Sequence, residues 1–161
     1  MVKKKNDEDK IHEKHYEQIH EQVKNDPYAL SLGIQLTKFE AGAAEATLEV
    51  QSTMVNAYGT VHGAVIHALG DHAFSVACNA YGKTSLGLST TLQFIESAKP
   101  GDKIAARATG LNLMNKIKQF NSYCSELSSR KLFLMEPKGA VCSLFMLFSE
   151  GILDNIYFER W

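Results

Sequence analysis

One stretch of this sequence places a carboxylate among apolar neighbours. Asp71 is the single acidic residue in AVIHALGDHAFSVACNAY, residues 64–81, which runs between Gly63 and Gly82. Val65, Leu69, Val76 and Ala80 recur at helical spacing and small residues fill the gaps. The pattern predicts one nearly all-buried helix of about five turns. A carboxylate is costly to bury in such a helix, which suggests a task for it. Gly63 stands at the helix start, where unpaired N–H groups and the positive end of the helix dipole gather. With no Cβ, its N–H can be approached closely by a carbonyl oxygen. A general base or nucleophile combined with such a donor suits attack on an activated carbonyl. Two plainer readings stand beside this one. Asp71 can be a structural carboxylate paired with His67 or His72. His62, His67, Asp71 and His72 can also be read as metal ligands, although their spacing matches no known metal-helix pattern.

The elements that must position these groups follow from periodicity. Residues 1–9 are charged and expected to form a disordered tail. Ile11 to Val23 carries Ile11, Tyr16, Ile19 and Val23 between charged residues, a weak amphipathic helix ended by Asn25-Asp26-Pro27. Pro27 to Gly33 reads as a short helical turn. Ile34–Thr37 and Ala44–Val50 read as strands around a turn at Glu40-Ala41-Gly42. After the long helix, Ser85 to Ile95 alternates, with Leu86, Leu88, Thr90, Leu92 and Phe94 facing one way, as a long strand with one covered face would. Lys99-Pro100-Gly101-Asp102 is a turn signal, and Ile104, Ala106 and Ala108 alternate with Lys103, Arg107 and Thr109 in the next strand. The order contains no strand–helix series, so a doubly wound parallel sheet is excluded. The expected class is α+β: one antiparallel sheet wrapped around one long central helix, in a single domain spanning 10–161.

Composition narrows the function. The chain has 161 residues, enough for one domain with a real core and no need of disulfide or metal staples. Net charge is −1, which gives no reason to expect nucleic acid or an anionic membrane surface as partner. No apolar run reaches the ~18 residues of a membrane span, and the start MVKKKNDEDK lacks the apolar core of a secretory signal. Cys78, Cys124 and Cys142 form an odd set without metal-ligand spacing, so they read as free thiols in a reducing, cytoplasmic setting.

The segment NAYGTVHGAVIHALGDHAFSVACNAYG, from Asn56 to Gly82, resembles the hotdog-fold acyl-CoA thioesterases of the phenylacetate-pathway (PaaI-like) type. The resemblance rests on an Asn six residues before a His-Gly pair and an Asp nine residues after that His: Asn56, His62-Gly63 and Asp71. It extends upstream through DPYALSLGIQL and downstream through STTLQFIESAKPGDKIAARA, covering about Pro27 to Leu111. It implies a hotdog dimer, often paired into a tetramer, that hydrolyses acyl-CoA thioesters without metal or organic cofactor. It also implies catalytic roles for Asp71, Gly63, Asn56 and His62, and places Ser89 near the acyl group. Asn56 would donate to the carbonyl or position water; His62 would hold Asn56 or its loop. Asp71 would activate water or attack directly to give a mixed anhydride. Gly63 and Asp71 lie eight residues apart, ~12 Å along a helix axis, too far for one thioester carbonyl to touch both. Two antiparallel helices across a homodimer would bring Gly63 of one subunit to Asp71 of the other, in shared, composite sites.

After about residue 115 the chain departs from the family pattern. Short strands can be drawn at Leu132–Met135, Val141–Phe148 and Ile152–Phe158, but period-2 order is weak. Divergence and a shifted reading frame in the coding sequence both produce such a break. Two rival functions remain: a hotdog hydratase or dehydratase, and a non-catalytic acyl-CoA-binding protein. Thiol release separates hydrolysis from both.

Overall fold

The computed structural model describes residues 7–90, 92, 94, 96–112, 119–126 and 144–148. Helix α1 runs Asp7–Lys24 and breaks its helical geometry at His15. Residues 7–9, expected in the charged tail, form its first turn instead. Acidic Asp7 and Asp9 suit that end, where the helix dipole is positive. Helix α2, Pro27–Ser31, starts as the sequence indicates: Asp26 caps it by accepting the Ala29 N–H at 2.8 Å, and Pro27 opens the first turn.

Strands β1 (Gln35–Glu40) and β2 (Ala43–Glu49) form a hairpin. Helix α3, Gly63–Asn79, follows. Then come β3 (Ser85–Ser89), β4 (Lys103–Asn112), β5 (Gln119–Glu126) and β6 (Leu144–Phe148). The six strands make one antiparallel sheet in the order β1-β2-β4-β5-β6-β3. Helix α3 packs across β2, β4 and β5. Its seat is made of small side chains in register: Ala44 opposite Ala108, Ala46 opposite Ala106, Leu48 opposite Ile104, all almost fully buried. The alternate positions point the other way. There Glu45 accepts from Arg107 Nε at 2.7 Å, a cross-strand ion pair on the opposite face of the sheet.

Two expectations change. The strand expected over Ser85–Ile95 stops at Ser89, and Thr90, Leu92 and Phe94 have no regular structure. Among the described strands β3 is at the sheet edge with one neighbour, and its pairing ends at Ser89 opposite Phe145 after a register shift. Alternation continues in the residues, but among the described residues no ladder extends past Ser89. At the other end, β5 is a regular strand in a segment whose sequence shows little alternation. The strand expected at Val141–Phe148 appears as Leu144–Phe148, while Leu132–Met135 and Ile152–Phe158 lie outside the described residues.

The β1–β2 turn depends on Gly42, which has φ 71°. A Cβ there would also lie 2.3 Å from the Tyr81 hydroxyl oxygen. Gly59 has φ 76° with nothing within 4 Å of its Cβ position. Gly59→Ala is therefore expected to cost only the left-handed backbone term, about 1–3 kcal/mol. Gly42→Ala must add the displacement of Tyr81 and lose at least ~1 kcal/mol more, as overpacked sites do. Urea unfolding of both variants checks this; equal losses would eliminate the Tyr81 contact as a cause.

Candidate active site

The start of α3 is built by a small loop held by its own hydrogen bonds and by bonds to Met54 and Ala98. Val55 and Val61 bridge, the Asn56 N–H donates to Thr60 O at 2.8 Å, and the His62 N–H donates to Met54 O at 2.8 Å. Val61 N–H donates to Ala98 O at 2.8 Å, which anchors the loop to the turn before β4. The Asn56 side chain knots the loop from inside. Its Oδ1 accepts from the Tyr58 and Thr60 N–H groups at 2.9 and 3.3 Å, and its Nδ2 donates to Thr60 Oγ1 at 2.9 Å. One amide hydrogen of Asn56 remains beyond these bonds.

His62 is the N-cap of α3, with extended backbone, and its Nδ1 accepts the Ala64 N–H at 3.1 Å. That bond leaves Nε2 to carry the proton of the neutral ring. The His62 carbonyl accepts from Val65 N–H at 2.9 Å. The Gly63 N–H is left with no acceptor among the described residues. It sits at the positive end of a 17-residue helix. Gly63 has no positive φ, and a Cβ added there would lie 2.8 Å from Cζ of the Phe94 ring.

Asp71 lies two turns along the same helix, and its position corrects the expectation of near-complete burial. Helix α3 buries Val65, Ile66, Leu69, His72, Ala73, Phe74, Val76, Ala77 and Cys78. Ala64, His67, Asp71 and Ser75 are exposed and recur every three or four residues, a stripe along one side. The Asp71 carboxylate is on this stripe and makes no hydrogen bond or ion pair with the described residues. Burial in the single chain therefore imposes no desolvation cost on it. His67 does not pair with it either: its Nε2 lies 3.2 Å from Thr90 Oγ1. That bond ties the stripe to the residue directly after Ser89, where β3 ends. Among the described residues, no three His, Cys, Asp or Glu side chains converge as a metal site requires.

The structure thus gathers Asn56, His62 and Gly63 at one end of α3, and sets Asp71 and the Ser89 strand end further along it. Sequence reasoning missed three features. It took Phe94 for a covered residue, but Phe94 is 57 % exposed. It did not find the His67–Thr90 link, and it did not foresee that Asn56 is bonded within its own loop. A signal for the last was present, since Asn followed by Gly within a few residues marks a side-chain-knotted turn.

The chain is similar to known proteins in sequence and in fold. Residues 58–117 match the family model described as Thioesterase superfamily. The chain is 32% identical over 95 residues to the acyl-coenzyme A thioesterase PaaI of Escherichia coli (strain K12), covering 59% of this chain and 68% of that protein. It is 32% identical over 93 residues to a putative esterase of Archaeoglobus fulgidus, covering 58% of this chain and 60% of that protein. The fold matches that of the E. coli PaaI protein from the phenylacetic acid degradation operon with a TM-score of 0.71 at 23% identity, over 86% of this chain and 93% of that one.

His72, next to Asp71 but on the buried side, carries a titration consequence. Burial pushes its imidazole below the ordinary 6.5, against the opposing pull of the Asp26 and Asp71 charges. The folded chain then holds it neutral at a pH where the unfolded chain takes up a proton. Its contribution to stability is complete above pH 6.5 and is lost as the pH falls from there through the folded value. Urea midpoints at about pH 7.5 and about pH 5.5 are expected to fall less in His72→Leu than in the wild type. An unchanged slope would remove His72 as the group responsible. By sequence and by fold, the chain belongs to the hotdog-fold thioesterase superfamily, in its PaaI-like branch.

Proposed function

We propose that this chain hydrolyses acyl-CoA thioesters to free acid and CoA, with aryl-acyl esters such as phenylacetyl-CoA as the first candidates. The observation that carries the reading is the unpartnered Gly63 N–H at the start of the helix whose exposed stripe bears Asp71. The thioester carbonyl oxygen is received by the Gly63 N–H, where the helix dipole favours the oxyanion. Asp71 supplies the base for water or the direct nucleophile. The spare amide hydrogen of Asn56 is available to the carbonyl or to the attacking water. His62 acts through position: it caps the helix and, through its main chain, fixes the loop that aims Gly63. Ser89 contributes a hydroxyl at the acyl end. No metal or organic cofactor is required by this set. The similarity to E. coli PaaI supports the substrate class.

Gly63 and Asp71 are separated by ~12 Å along α3, so one carbonyl needs one group from each of two chains. We infer a homodimer, which can pair further into a tetramer, with the exposed stripe of α3 facing its two-fold mate and the sites shared. The working compartment is the cytoplasm, where acyl-CoA esters and reduced thiols coexist. No helix of the described residues is long and apolar enough to cross a membrane. Neither membrane nor nucleic acid enters the reading.

Thiol release from an acyl-CoA panel tests the activity. Asp71→Ala is expected to lose at least ~10²-fold in kcat, the scale of a lost acid–base group. A folded wild type that releases no thiol from any ester would overturn the reading in favour of an acyl-CoA-binding protein, and hydration of an enoyl-CoA without thiol release would favour a hydratase. The shared site has its own test. Gly63→Val and Asp71→Ala chains, each inactive alone, should recover about a quarter of wild-type activity when unfolded and refolded together, the share of intact sites in a random mixture of two-fold dimers. Absence of recovery would place both groups of a site on one chain.

A further inference from the structure

Phe94 stands out among the described apolar side chains. It is more than half exposed, yet its ring lies against the one residue whose N–H the chemistry needs. Measured from the position of a Cβ on Gly63, ring atoms Cζ, Cε1 and Cε2 lie at 2.8, 3.1 and 3.5 Å. Those distances mean that the ring rests directly on the Gly63 backbone. A substrate whose carbonyl oxygen bonds the Gly63 N–H would lie in the neighbourhood of this ring. Helix α3 fixes Gly63, while Phe94 follows β3 in the chain. The ring is therefore a wall of the site contributed by a second element.

We propose that Phe94 sets acyl selectivity, as a flat apolar wall beside the oxyanion donor that favours a planar aryl-acyl group over a long flexible chain. This rests on the thioesterase reading above and deepens it. Aromatic rings meet in offset or edge-on contact and lose little rotamer freedom doing so, whereas a flexible alkyl chain must be ordered against the same surface. The same ring explains the glycine at 63. With φ in the ordinary range there, the requirement is space for Phe94 rather than backbone freedom. Glycine and ring then form a matched pair: the first keeps the donor open, and the second shapes what reaches it.

The test is a steady-state comparison of phenylacetyl-CoA, hexanoyl-CoA and dodecanoyl-CoA with wild type, Phe94→Leu and Phe94→Ala. Removing ring volume should lower kcat/KM for phenylacetyl-CoA relative to the two alkyl esters by roughly tenfold, the scale on which pocket volume discriminates substrates. A loss equal for all three esters would overturn the proposal, because it would describe a structural residue. Phe94→Leu keeps an apolar side chain and serves where Phe94→Ala does not fold. The contact is read separately by stability: Gly63→Ala should destabilise the wild type more than it destabilises Phe94→Leu, and equal costs in both backgrounds would overturn the pairing. An inactive wild type would sink the underlying hydrolase reading and the selectivity proposal with it. An active wild type with unchanged preference in both variants would sink the proposal alone.

Discussion

The closeness of α3 to the sheet is the constraint on which the rest depends. The paired alanines of β2 and β4, Ala44 with Ala108 and Ala46 with Ala106, leave a shallow trough with no bulky side chain. The helix answers with Leu69, Ala73, Val76 and Ala77, all essentially inaccessible to solvent. Close packing of this kind fixes both the axis of the helix and its rotation about that axis. Rotation is what matters for function. It decides that the side bearing Ala64, His67, Asp71 and Ser75 is turned outward and that His72 is turned in. Neighbours in sequence thereby receive opposite environments, one solvated and one desolvated.

The same helix carries polarity in a second sense. Its first turn offers a donor and its middle offers a carboxylate, so in the proposed reaction the electrophilic and nucleophilic groups are set at a fixed separation by the backbone itself. Side-chain flexibility cannot close a gap of ~12 Å. The separation suits the proposed homodimer, in which each site takes one group from each of two chains. In that proposal, the outward turn of Asp71 has a use: a carboxylate that its own chain leaves in water would serve the site of the other chain. His67, on the same outward side, is held by Thr90 and so connects the stripe to the edge of the sheet.

Much of this was legible in the sequence because it rests on local chemistry. Asp26-Pro27 marks the start of α2, Ala41-Gly42 turns the first hairpin, and Lys99 to Asp102 closes a turn in which the Lys99 N–H donates to Asp102 Oδ2 at 2.7 Å. The Asn56, His62-Gly63, Asp71 spacing marks the family in the sequence itself. What was not legible depends on partners distant in sequence. A helix rich in Ala, Gly and Ser shows weak contrast between its faces, so Ala64 and Ser75 gave no sign that the Asp71 side is exposed. Strand β3 was read too long because alternation in Leu92 and Phe94 reports side-chain character, whereas a strand needs a neighbour to bond. The place of Phe94 over Gly63 arises from two segments some 30 residues apart and follows from neither alone.

The knotted loop before α3 has a consequence for the thermodynamics of recognition. Its backbone and its Asn56 side chain are bonded within the loop and to Met54 and Ala98. The entropy of ordering the donor is thus met once, when the chain folds, and not again with each substrate. Binding at this end of the site resembles docking onto a finished surface, so the heat-capacity change of binding should report apolar area buried by the acyl group, with no component from loop folding.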